Sequence, residues 1–92
     1  MTDAKNKKVT RNPQVTYRSL EDGSAVLLDL ESGSYHGLNE TGSAIWELID
    51  GQRTRREIAD ALRARLDDPP PELDDELTTF LDGLLERGLV SE

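Results

Sequence analysis

The chain has 92 residues, 19 acidic side chains against 11 basic ones, and no cysteine. That length accommodates one small domain with a single modest core, and the lack of sulfur excludes a disulfide framework, a thiolate nucleophile and a zinc–thiolate site. No apolar run approaches the roughly 18 residues of a bilayer span, and the lysine-bearing N-terminus is followed by no apolar signal-peptide core, so a cytoplasmic protein with no membrane partner is expected.

Charge is segregated along the chain. Residues 1–19 carry five bases and one acid, 20–51 seven acids and no base, 52–66 five arginines and two acids, and 67–92 nine acids and one arginine. Nucleic-acid binding draws most of its non-specific affinity from a basic face, and the C-terminal quarter is the opposite of one.

The first dozen residues are polar and read as a disordered tail, with the domain spanning 13–92. Val15–Ser19 alternates as a short strand, Glu21-Asp22-Gly23 signals a turn, and Ala25–Leu30 is rich in strand-compatible aliphatics. Glu31-Ser32-Gly33 then reads as a three-residue loop with a bulge at Gly33, leading into a third strand through Leu38. In that register Leu30 faces Ser34, Leu28 faces His36 and Val26 faces Leu38. Val26, Leu28, Leu30 and Leu38 then share one face, and Leu27, Asp29 and Tyr35 share the other.

Asn39 and Thr41 are good N-cap residues placed just before the apolar positions Ile45, Leu48 and Ile49, which predicts a helix over about 40–50 with Gly51 beyond its end. Thr54-Arg55-Arg56-Glu57 has capping-box spacing, predicting a second helix over 55–66 that buries Ile58, Ala59, Leu62 and Leu66. Three prolines break it. Acidic residues from Glu72 to Glu76 then suit the positive end of a third helix's dipole, whose apolar stripe is Leu73, Leu77, Phe80, Leu81, Leu84 and Leu85. Gly88 stops this helix, and Leu89-Val90 folds back onto the body. Three short antiparallel strands followed by three helices make an α+β fold of winged helix-turn-helix type.

Chemistry-bearing residues are few. His36 is the only histidine, so no histidine pair can form around it. An enzyme acting through Tyr35, His36 and Asp29 would lack the required set of nucleophile, base and orienting group, and no catalytic residue is expected. Trp46 sits at core spacing. Glu72, Asp74, Asp75 and Glu76 decorate a helix start rather than a turn that converges oxygen ligands on a cation, so no metal or cofactor is expected. A DNA-binding regulator is the competing function, because Arg53, Arg55, Arg56, Arg63 and Arg65 make the second helix basic. Its recognition helix would nevertheless bring Asp75, Glu76 and Asp82 to the phosphates.

The stretch from Val26 through Gly42, which contains Tyr35-His36-Gly37-Leu38-Asn39-Glu40-Thr41, resembles the pyrroloquinoline quinone biosynthesis protein D (PqqD) family. So do the following Ala44–Leu48, Asp50-Gly51, Thr54–Ile58 and the closing Gly88-Leu89-Val90. The likeness covers about residues 12–90. It implies a RiPP recognition element, a non-enzymatic winged-helix module. Such a module binds the leader of a ribosomally made precursor peptide and presents it to a radical SAM enzyme or a lasso-type leader peptidase. The leader is then expected as an added strand along Ser34, Tyr35, His36, Gly37 and Leu38, opposite a wall of Asp75, Thr78, Thr79, Leu81, Asp82 and Leu85. Leu27 and Tyr35 are expected to line side-chain pockets. The module is expected to be a monomer or weak homodimer that engages neither nucleic acid nor membrane.

Overall fold

The computed structural model describes residues 7–66 and 68–92. The elements are β1 (Thr10–Arg11), β2 (Val15–Ser19), β3 (Ala25–Asp29), β4 (Ser34–Leu38), α1 (Glu40–Leu48), α2 (Arg55–Arg65), α3 (Leu73–Glu86) and β5 (Val90–Ser91). Strands β2, β3 and β4 form an antiparallel sheet in that order, and the three helices follow it. The α+β arrangement anticipated from the element order is the one observed.

Local capping explains the helix starts. The Asn39 side chain accepts a hydrogen bond from the Gly42 amide at 2.8 Å, while Thr41 lies inside the first turn of α1 and is not the cap. At α2 the capping box closes in both directions. Glu57 Oε1 accepts from the Thr54 amide at 2.9 Å, and Thr54 Oγ1 accepts from the Glu57 amide at 3.2 Å. Gly51 and Gly88 take the left-handed conformation, at φ 79° and 73°, where a β-carbon would be strained.

The sheet register differs by one residue from the expected one. Asp29 pairs with Ser34, Leu28 with Tyr35, Leu27 with His36 and Ala25 with Leu38. The connection is a four-residue loop, residues 30–33, held by the Gly33 amide donating to the Asp29 carbonyl at 2.7 Å. A one-residue slip exchanges the faces of a strand. Ala25, Leu27, His36 and Leu38 therefore face the helices, whereas Val26, Leu28 and Tyr35 face outward and Leu30 is exposed. The helices cover only one face of the sheet, and Leu27 completes the core beneath them.

Trp46 is fully buried at the centre. It stacks on Tyr17 with ring centroids 6.5 Å apart, and the Arg11 guanidinium lies 5.2 Å from its ring centroid. Arg11 also donates to the Trp46 carbonyl at 2.7 Å. Tyr17 shares a hydrogen bond with Ser43 and donates to Glu47 at 2.8 Å. Burying a side chain such as Leu27, Ile58 or Leu81 contributes about 1.5–3 kcal/mol, and all three are sealed in one cluster with Trp46.

Two further expectations need correction. The polar tail does not extend to residue 12, because Val9 is 1% exposed within the core and β1 pairs with β5. The Val9 amide and carbonyl bond to Arg53 and Gly51. Burial of one valine and completion of a two-stranded ribbon order this segment; residues 1–6 of the expected tail lie outside the described residues. Leu66 is 37% exposed rather than buried, because α2 ends at Arg65 and Leu66 is already its extended C-cap.

Candidate functional site, an edge-strand groove

Among the described residues, strand β4 pairs with β3 on one side and with no strand on the other. An edge of this kind presents unpaired amides and carbonyls that can template another strand. Opposite the edge stands α3. Between them lies a groove of about 440 Å³, with Tyr35, His36, Gly37 and Leu38 on the strand side and Thr79, Phe80, Gly83, Leu84 and Arg87 on the helix side. A second cavity of about 630 Å³ shares Thr79 and Phe80 with it and continues past Asn39, Thr41 and Gly42 to Asp75 and Glu76. The two form one channel that borders the N-terminus of α1.

Glycines keep this channel open. A β-carbon at Gly42 would sit 3.1 Å from Cε1 of Phe80, closer than ordinary contact, so the phenyl ring occupies space that any side chain at position 42 would contest. A β-carbon at Gly83 would lie 3.2 Å from the Arg87 guanidinium. Glycine in a helix interior costs about 1 kcal/mol relative to alanine, and at Gly83 the space it frees is taken by the arginine that folds across the groove wall. At Gly37 nothing lies within 4 Å of the β-carbon position, leaving that stretch of the edge unobstructed.

The structure sorts the expected site residues. Tyr35, His36, Gly37, Leu38, Asp75 and Thr79 border the channel. Ser34 begins the same edge strand and is exposed. Leu27 and Leu81 are fully buried in the core and offer no surface to a ligand. Tyr35, 72% exposed, lies on the sheet face opposite Leu27, so the two cannot share a pocket. Asp82 is turned toward α2, where it pairs with Arg55 at 2.7 Å. Thr78 and Leu85 are not among the residues bordering the channel, and Leu85 packs on the core.

Beside Asp75, Thr79 and Leu84, α3 borders the channel with Glu76, Phe80, Gly83 and Arg87, at steps of 4, 3 and 4 along one side of a helix. The sequence reading missed these four. The spacing was visible, flanking the buried stripe of Leu73, Leu77, Leu81 and Leu84, but nothing local tells which flank looks onto the sheet edge.

The competing chemistries do not assemble. Tyr35 projects from the sheet face opposite His36 and Asp29, and Asp29 Oδ1 accepts from the Glu31 amide at 3.0 Å as a turn cap. No cluster of metal-ligating side chains exists among the described residues. The arginines around α2 are largely engaged within the fold. Arg53 pairs with Asp50, Arg55 with Asp82 and Glu92, Arg63 with Asp60 and Asp74, and Arg65 with Glu47. Glu47 is held below the usual carboxylate range first by the Tyr17 hydroxyl and then by Arg65. Among the described residues, Arg56 alone of the five arginines around α2 makes no ion pair. No described helix is long and apolar enough to cross a membrane.

Comparison with known proteins places this geometry. Among solved structures, TbiB1 in complex with the TbiA(beta) leader peptide superposes with a TM-score of 0.75 at 32% identity, over 89% of this chain and 94% of that one. A lasso peptide synthetase B1 complexed with the leader peptide gives 0.74 at 21% identity, over 92% of this chain and 99% of that one. The heterocyclase TruD shares the fold with a TM-score of 0.67 at 19% identity, over 92% of this chain but 11% of its own much longer chain. No curated protein matches the sequence. The family model described as coenzyme PQQ synthesis protein D (PqqD) matches residues 24–90, from the residue before β3 to the first residue of β5, and the chain belongs to the PqqD family.

Proposed function

We propose that this chain is a leader-peptide-binding adaptor. It captures the leader of a ribosomally synthesised precursor as an added strand on β4 and presents the precursor to a modifying enzyme, a radical SAM enzyme or a lasso-type leader peptidase. The observation that carries the reading is the β4 edge facing α3 across a groove. β-Augmentation needs this arrangement, with main-chain pairing for affinity and adjacent pockets for specificity. The 32% identity to a protein whose structure holds a leader peptide supports it. A DNA-binding role has no comparable support, since four of the five arginines in and just before α2 (Arg53, Arg55, Arg63 and Arg65) are paired and α3 carries Asp75, Glu76 and Asp82.

Amide shifts of isotopically labelled protein, followed during titration with a synthetic leader from a short open reading frame beside its gene, test the proposal. Saturable shifts confined to residues 34–38 and to the Glu76, Phe80, Gly83 and Arg87 face of α3 are expected. Shifts on residues 53–65 with duplex DNA, and none with any neighbouring leader, would overturn it.

A further inference from the structure

The channel carries opposite charge at its two ends. Asp75 and Glu76 border the end beside Asn39 and Thr41, and Arg87 borders the end beside Tyr35 and His36. None of these three forms an ion pair among the described residues, whereas Asp74 and Asp82, which point elsewhere on the same helix, are neutralised by Arg63 and Arg55. The helix dipole accounts for acids at the start of α3 and a base at its end. It does not account for which charges are quenched within the fold and which are left facing the groove.

Resting on the adaptor reading above, we propose that the groove selects an extended peptide segment by the order of its charges. A lysine or arginine comes first, against Asp75 and Glu76, and an aspartate or glutamate follows about five residues later, against Arg87. The direction follows from pairing. Every ladder in this sheet is antiparallel, the slightly more stable arrangement, so an added strand starts at the Leu38 end and finishes at the Ser34 end. The spacing follows from the helix. Eleven residues separate Glu76 from Arg87, about 16 Å at the helical rise, which an extended chain covers in about five residues. Phe80 and Leu84 lie between, so apolar side chains suit the intervening positions.

The test is selection from an mRNA-displayed library of random dodecapeptides, run on the wild-type chain and on the triple variant Asp75→Lys, Glu76→Lys, Arg87→Glu. Wild-type selection is expected to enrich a base followed by an acid about five residues later, and the variant to enrich the reverse. A selected peptide resynthesised with its two charged residues exchanged should bind the wild type about three- to tenfold more weakly at low salt, the range expected of exposed ion pairs. That difference should shrink as salt is raised. If the triple variant does not fold, the exchanged peptide and the salt series on the wild type decide alone. Enriched peptides that shift the β4 amides but show no charge order, or an exchange without effect, would overturn this inference and leave the adaptor reading standing. No enrichment, or binders that leave residues 34–38 unperturbed, would remove both.

Discussion

Replacing Gly42 by alanine separates the stability of the fold from the shape of the groove. Alanine is favoured over glycine in a helix by about 1 kcal/mol, and Gly42 lies in the first turn of α1. Against that gain, the new β-carbon meets Phe80 Cε1 at 3.1 Å and Asn39 Oδ1 at 3.3 Å. Phe80 is half-buried beside the open channel, so its ring can yield by a few tenths of an ångström into the groove. Asn39 Oδ1 is the capping oxygen, and displacing it forfeits part of a cap worth about 1 kcal/mol. The two contributions offset, and the melting temperature is expected to move by less than about 5 °C, the equivalent of about 1 kcal/mol for a domain of this size. Leader affinity, read by fluorescence anisotropy, should nevertheless fall severalfold, because Phe80 lines both halves of the channel. A variant that gains the full helix-propensity benefit and binds leader as before would refute the contact between Gly42 and Phe80 as the device that shapes the groove.

Trp46→Ala removes the centre of the core and should cost about 3–5 kcal/mol, a large part of the stability of a small domain; urea denaturation with a midpoint close to wild type would contradict its central role. Val9→Ala should lose about 2 kcal/mol by the same measurement, whereas no loss would mean that the segment before β2 is not part of the fold. The carboxyls of Glu47, Asp50 and Glu57 are each lowered, by the Tyr17 hydroxyl, by the Gln52 amide and by the Thr54 amide respectively. Their stabilisation is therefore complete above the ordinary carboxylate values and is lost as pH falls through the lower folded values. Tyr17 is shifted up by burial, so its contribution persists below pH 10 and is lost as pH rises above it. Denaturation midpoints should be flat between about pH 5 and 9 and fall on both sides; an unchanged midpoint at pH 3 would show that these carboxylates have no folded-state partners.

The helices were legible in the sequence because their ends are decided by hydrogen bonds spanning three or four residues. Asn39 and the Thr54–Glu57 box announce their helix starts. The heptad-like spacing of Leu73, Leu77, Leu81 and Leu84 marks the buried face of α3 whatever it packs against. The identity of β4 as the last strand of the three-stranded sheet, and hence its edge, also followed from element order. Register did not, because Leu27 and Leu28 are adjacent and equally apolar, and only the helices lying over one sheet face decide that Leu27 goes in and Leu28 out. Val9 is one apolar residue in a polar run, and its burial depends on β5, some eighty residues away. The expected wall on α3 coincides with the residues bordering the channel only at Asp75 and Thr79, for the same reason. A helix sequence reports which face is buried, but which flank of that face overlooks the β4 edge, Glu76 and Arg87 rather than Thr78 and Asp82, is set by how α3 is docked against α2 and the sheet.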